Sequence, residues 1–275
     1  QLPDTLSPLR GGAAQEGNSR MTQVLAIASQ KGGVGKTTTA INLGSYLAQA
    51  GHETLIIDLD PQGNATSGLS VRSPVPTPLS DLWGGQSKWQ KLAAPTAIPS
   101  LALFPGPARS GEPLEGFSLR SARIADLRAE LDAASWDHVI IDSPPSLGPL
   151  TSLSLAWADA VLVPVQCEYF AMEGLTQMLE LVDRANQGRS KPLEILGILL
   201  TLFSETHQLS VEVATEVRKY FPREVLETII PRDIALAEAT SHGEPVCRYA
   251  PRSRGAWAYL NLAKEILANE CAQAR

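Results

Sequence analysis

Eight residues, Lys31 to Thr38 (KGGVGKTT), combine the residue types that hold a triphosphate. Gly32, Gly33 and Gly35 let the backbone come close to phosphate oxygens and turn its N–H groups toward them, with Val34 between. Lys36 is placed to contact the β and γ phosphates of ATP, and the Thr37 hydroxyl to ligate Mg²⁺. Thr38 opens the following helix, whose N-terminus adds a positive dipole end. A glycine-rich turn that merely packs helix on sheet is the competing reading. The agreement of the loop, the Lys-Thr pair and the strand–loop–helix context outweighs it.

The loop departs from the standard pattern in an informative way. That pattern wants glycine at position 30, where this chain has Gln30, and Lys31 is an additional lysine. A second ammonium beside a triphosphate neutralises charge that grows during phosphoryl transfer. It could do so in its own chain or by reaching into a neighbour's site, where such a group is worth roughly three to five orders of magnitude in rate. The bland alternative is a solvated surface lysine.

Three aspartates complete the set. Asp58 and Asp60 close an apolar run (LIIDLDPQGN), and alternation along a strand puts the two carboxylates on one face. Asp142 closes another (HVIIDSPP), where an aspartate can hold Mg²⁺ through water. An isolated strand-end aspartate is more often a turn or capping residue. Three of them beside a phosphate loop point to chemistry. Asp60 is assigned to the attacking water and the metal surroundings, Asp142 to the metal shell, and Asp58 to supporting the loop.

These groups need a scaffold that gathers strand ends. Short apolar runs at Val24–Ala28, Leu55–Asp58, Leu101–Phe104, Val139–Asp142, Val161–Val165, Leu193–Thr201 and Val225–Ile230 read as buried strands. Helical spacing marks Thr38–Gln49, Ser121–Ala134, Gly174–Ala185, Val211–Tyr220 and Ala256–Asn269. Pro61 to Pro78 reads as a loop, and Trp83 to Pro99 is ambiguous. Alternation of the two kinds predicts an α/β fold: a mainly parallel, doubly wound sheet with helices on both faces, as in P-loop NTPases. Residues 1–20 lack apolar periodicity and read as a disordered extension, with residues 21–275 as one ATPase domain.

Bulk composition narrows the partners. A formal charge of −6 gives no global attraction to nucleic acid or anionic lipid, so any DNA contact must come from a local patch. Three cysteines without CxxC spacing argue against a metal site or a disulfide framework and fit a reducing cytoplasm. No apolar run reaches the ~20 residues of a membrane helix.

Together these segments resemble the ParA/Soj chromosome- and plasmid-partitioning ATPases, in the deviant Walker-A group that also includes MinD. The likeness runs from Met21 to Leu267. It is carried by QKGGVGKTTTAINL (Gln30–Leu43), DLDPQGNATSGL (Asp58–Leu69), VIIDSPPSLG (Val139–Gly148), VPVQCEYFAMEGL (Val163–Leu175), IIPRDIALAEATSHGEPV (Ile229–Val246) and PRSRGAWAYLNLAKEI (Pro251–Ile266). The resemblance implies a slow, partner-stimulated ATP hydrolase that forms an ATP-sandwich homodimer, with Lys31 crossing to the partner's phosphates. It implies adenine contacts from Pro231, Arg232 and Asp233. It also implies sequence-independent binding of double-stranded DNA by the ATP dimer, and release by a ParB-type protein acting through a basic N-terminal segment. The expected location is the cytoplasm, with association to the nucleoid where DNA is bound.

Two positions depart from the family's DNA-binding pattern. Thr206 and Ala235 stand where members often carry arginine. Each lost phosphate contact removes about one unit of counterion release, so binding should weaken at physiological salt. Arg218, Lys219, Arg223, Arg248, Arg252 and Arg254 are candidate substitutes, against the bland reading of solvated charges.

Rival readings differ in the partner. A membrane-cycling member needs a basic amphipathic C-terminal helix. Leu260 to Arg275 offers Lys264 and Arg275 against Glu265 and Glu270, so no membrane partner is expected. An iron–sulfur reductase needs a second suitable cysteine beside Cys167, which is missing. A positioning or regulatory ATPase that binds a protein scaffold instead of DNA remains the serious alternative.

Overall fold

The computed structural model describes residues 22–72, 78–106 and 121–273. The extension expected over residues 1–20, and Met21 after it, lie outside the described residues.

The chain opens with β1 (Gln23–Ile27), α1 (Lys36–Gln49), β2 (Thr54–Asp58) and the short α2 (Asn64–Gly68). Then come α3 (Pro78–Trp83), α4 (Trp89–Leu92), β3 (Ala94–Pro95), β4 (Leu101–Phe104), α5 (Ser121–Asp132) and β5 (His138–Asp142). Next are α6 (Pro149–Trp157), β6 (Ala160–Gln166), α7 (Ala171–Asn186), β7 (Glu194–Phe203) and α8 (Gln208–Tyr220). The chain continues through β8 (Val225–Pro231), α9 (Ile234–Ser241), α10 (Val246–Tyr249) and α11 (Arg254–Gln273).

Among the described residues, eight strands form one sheet in the order β3-β4-β2-β5-β1-β6-β7-β8. Every pairing is parallel except the two-residue β3 against β4. Parallel strands buried on both faces carry apolar residues at every position, and each face needs its own layer of helices. Val24 and Ala26 of β1 belong to one core, which they share with Leu127 of α5, Leu153 of α6, Leu175 of α7 and Val217 of α8. Leu25 and Ile27 turn to the other, with Leu43 of α1, Leu236 of α9 and Leu262 of α11.

Several elements escape a periodicity reading. Helix α6 (PLTSLSLAW) starts with proline at its first turn and is buried on most sides, so it has no polar face to betray it. Its hydroxyls donate to backbone carbonyls, Thr151 to Ser146 and Ser152 to Gly148 just before the helix, and Ser154 to Leu150 within it at 2.9 Å. Helix α2 forms inside the stretch expected to be loop, because its first-turn partners come from Asp58 rather than from its own sequence. The ambiguous stretch folds into α4 and the two-residue β3, which pairs with the expected strand β4, around Trp89, whose indole N–H reaches the Leu127 carbonyl at 3.1 Å.

Parallel pairing gathers the strand ends that matter. Ile27 pairs with Asp142, and Asp142 with Asp58. The exit of β1, from which the glycine loop departs, therefore lies in line with both carboxylates at the C-terminal edge of the sheet. That edge is where open α/β sheets bind ligands.

Candidate active site

The glycine loop connects β1 to α1. Gly33 and Gly35 hold φ of 74° and 93°, in the left-handed region that side-chain-bearing residues avoid. Between them Val34 is buried, and its carbonyl accepts a 2.8 Å hydrogen bond from the Thr201 hydroxyl of β7. A cavity of about 400 Å³ opens above the loop. Gly32, Gly33, Gly35, Lys36, Thr37 and Thr38 form its floor. Asp60, Gln62, Asn64 and Ser67 stand on one side, and Leu202, Ile230, Asp233, Leu236 and Tyr259 on another.

The two loop lysines behave differently. Lys36 is 6 % exposed and donates to the Lys31 carbonyl at 3.0 Å. Burial pushes its ammonium below the ordinary lysine value, while Asp142 and Asp60 pull it back up. Lys31 lies outside the cavity lining, half-exposed, with Nζ 3.0 Å from Glu168 Oε2. The other oxygen of Glu168 is 3.8 Å from Arg232. One carboxylate thus ties the exposed lysine to the segment leaving β8.

Each aspartate has its own environment. Asp142 is fully buried, and among the described residues neither carboxylate oxygen has a hydrogen-bond partner. Burial, then the neighbouring Asp58 charge, raises its pKa well above the carboxylate range, with Asp60 adding to it; the Thr37 hydroxyl and Lys36 oppose. An orphaned buried carboxylate beside a Thr hydroxyl and a lysine suits a hydrated divalent cation. Among the described residues no group of three or more His, Cys, Asp or Glu could hold a metal. Mg²⁺ does not require one, because it keeps waters and draws on phosphate oxygens.

Asp58 is spent on architecture. Its Oδ2 accepts the Thr66 hydroxyl at 2.6 Å and the Thr66 N–H at 2.9 Å, and Oδ1 accepts the Asp60 N–H at 3.2 Å. Burial is the main reason its pKa rises to about 6, with the Thr66 bonds opposing. Asp60 lines the cavity, and its Oδ1 accepts the Gln62 N–H at 2.9 Å.

At the cavity's far wall the expected adenine segment divides. Asp233 is the N-cap of α9, one oxygen accepting the Ala235 N–H at 3.1 Å and the other the Gly255 N–H at 2.8 Å. Ile230 lines the cavity beside it. Pro231 faces a separate groove along β8 and α11, and Arg232 faces Glu168.

The six candidate basic residues are scattered. Arg218 reaches the Glu227 carbonyl at 3.3 Å near the start of β8, with Lys219 and Arg223 close in sequence. Arg254 begins α11, one residue before the Gly255 contact to Asp233, and Arg252 precedes it. β8, seven residues long, runs between the contacts the two groups make. Arg248 donates to the Ala97 carbonyl at 3.1 Å. Thr206 is exposed beside Ser204, whereas Ala235 is 8 % exposed.

Sequence reading overlooked Glu168, Thr201 and Leu202. The first two act through partners distant in sequence. Leu202 holds φ of 51°, a costly conformation for leucine, and nothing local in its sequence announces it.

Comparison with known proteins fits this geometry. Residues 22–195 match the family described as AAA domain. The sporulation initiation inhibitor protein Soj of Bacillus subtilis is 43 % identical, over 90 % of this chain and the whole of that protein. The chromosome partitioning protein ParA of Caulobacter vibrioides is 44 % identical, over 90 % of this chain and 95 % of its own. Among solved structures, cobyrinic acid a,c-diamide synthase from Mycobacterium smegmatis, with bound ADP and magnesium, superimposes with a TM-score of 0.78 at 33 % identity. That match covers 92 % of this chain and 97 % of the other. The cell division ATPase MinD of Pyrococcus furiosus gives 0.72 at 25 % identity, over 90 % and 99 % of the two chains.

Proposed function

The chain belongs to the ParA/Soj family of partitioning ATPases, and on that footing we propose that it is an ATP-switched dimer that segregates or positions DNA with a ParB-type partner. One observation carries the reading: the two loop lysines divide their labour. Lys36 is buried over its own loop and serves its own nucleotide. Lys31 stands outside the cavity, held by a carboxylate at the surface, where a second copy of the chain can take it.

The hydrolytic step then follows from the residues. The loop N–H groups and Lys36 hold the β and γ phosphates. Thr37 and Asp142, with Asp60 nearby, hold Mg²⁺, which neutralises phosphate charge when bound. Asp60 orients the attacking water. Lys31 of the second copy meets the charge that develops on the transferred group, so turnover is slow until two copies close. The ADP and magnesium in the Mycobacterium smegmatis synthase support the same pair of ligands here.

The dimer carries nonspecific double-stranded DNA, and a basic segment of the partner stimulates hydrolysis and ends the cycle in the cytoplasm. Among the described residues no helix is long and apolar enough to cross a membrane. Size-exclusion with light scattering tests the switch. Wild type should dimerise with a non-hydrolysable ATP analogue, and a chain that stays monomeric when saturated would overturn it.

Thr206 and Ala235 favour a second reading, in which the same dimer binds a protein scaffold rather than DNA. Turnover measured against added DNA and against a basic peptide separates the two. A DNA carrier responds to both.

A further inference from the structure

We propose that Thr201 is a positioning residue for ATP binding: its hydroxyl fixes the orientation of the peptide between Val34 and Gly35. The observation is the 2.8 Å bond from the Thr201 hydroxyl to the Val34 carbonyl, buried at the junction of β7 and the glycine loop. Thr201 itself is 1 % exposed.

A trans peptide is planar, so its C=O and N–H point in opposite directions. Holding the Val34 carbonyl on the Thr201 hydroxyl therefore aims the Gly35 N–H away from that hydroxyl, within the glycine loop that floors the nucleotide cavity. Without that hold the peptide is easy to turn over. Turning it over rotates ψ of Val34 and φ of Gly35, and Gly35, already in the left-handed region, sets no steric barrier on its side. A turned peptide would present a carbonyl oxygen to phosphate where an N–H is needed. The hydroxyl selects the binding orientation before nucleotide arrives.

The anchor is itself rigid. The Thr201 carbonyl accepts the Cys167 N–H at 3.2 Å, and Gln166 pairs with Thr201 in the parallel ladder. Glu168, which holds Lys31, follows directly. Position 201 thus ties the phosphate loop to the segment that restrains the exposed lysine. Thr201 also lines the nucleotide cavity beside Leu202, but its hydroxyl is spent on the Val34 carbonyl, and its effect passes through the loop.

The test compares wild type with Thr201→Val, which keeps the shape and removes the donor, and Thr201→Ser, which keeps the donor. Leaving the Val34 carbonyl unpaired in a buried site should weaken ATP and ADP binding roughly ten-fold. KM should rise by a similar factor with kcat nearly unchanged, and Thr201→Ser should bind like wild type. A merely structural threonine would lower the melting temperature and leave KM alone, and that result overturns the proposal. So does a serine variant as weak as the valine variant. Should Thr201→Val fail to fold, Thr201→Cys supplies a similar volume with a poor donor. Its affinity should fall measurably below that of Thr201→Ser, and equal affinity refutes the role.

Discussion

Lys31 Nζ lies 3.0 Å from Glu168 Oε2, an ion pair between the glycine loop and the exit of β6 that leaves both side chains 43 % exposed. An exposed pair of this kind contributes about 0–1 kcal/mol, so it restrains Lys31 without trapping it. The lysine is held ready at the surface, and a stronger anion can displace the carboxylate.

Lys31→Ala should therefore bind ATP through its intact Lys36 yet remain monomeric with a non-hydrolysable analogue. Glu168→Gln removes the competitor for the ammonium, and its dimer should form at roughly two- to five-fold lower protein concentration. Light scattering across a concentration series reads both effects. A weaker dimer in the glutamine variant would mean that Glu168 works across the interface instead.

Asp142 supplies a prediction with a pH signature. Its folded pKa is raised, so the native protein binds more protons than the unfolded chain across the window above the ordinary carboxylate value. Stability of the nucleotide-free protein therefore falls as pH rises through that window. Asp142→Asn removes the buried charge and should raise the melting temperature at pH 7.5 by at least about 2–4 °C, the shift expected for ~1 kcal/mol in a protein of this size. The advantage should shrink as pH falls toward the ordinary carboxylate value, because the wild-type carboxyl is already protonated in the folded protein at higher pH. The same variant should lose the extra thermal protection that Mg²⁺ adds to ATP. Full retention of that protection would remove Asp142 from the metal shell.

The parts of this site legible in the sequence are those contained within one short segment. Lys31 to Thr38 forms a loop whose meaning is local, and Asp142 ends a strand that apolar residues announce. The contacts that restrain the site are different in kind. Lys31 and Glu168 are 137 residues apart, and Val34 and Thr201 are 167. Only the register of β6 on β7 and of β1 on β6 brings such pairs together. Asp233 adds a role that periodicity does not announce: it lines the cavity while both its carboxylate oxygens are committed to backbone N–H groups. Helix α6 stayed hidden because burial on most sides erases the amphipathic period.

Asp60 is the residue on which hydrolysis, as distinct from binding, is expected to depend. It lines the cavity, whereas Asp58 is occupied by Thr66. Asp60→Ala should bind ATP and dimerise, while turnover falls by about 10²-fold or more, the usual loss when a group that handles the reacting water is removed. Normal single-turnover rates in that variant would move the role elsewhere. Asp58→Ala, by contrast, should loosen α2 and lower the melting temperature.

DNA binding gives the last prediction, and its sign comes from charge. The basic residues lie in groups at different ends of β8, and Thr206 and Ala235 add no charge. Binding of nonspecific duplex by the ATP-bound protein should be measurable at low salt and lost near physiological salt. Ala235 is nearly buried, so arginine there would disturb α9, but Thr206 is exposed and open to replacement. Thr206→Arg adds one phosphate contact per subunit, and two per dimer should steepen the dependence of log affinity on log salt by roughly two units. Fluorescence titration at several salt concentrations measures that slope. An unchanged slope would place position 206 away from DNA and strengthen the case for a protein scaffold.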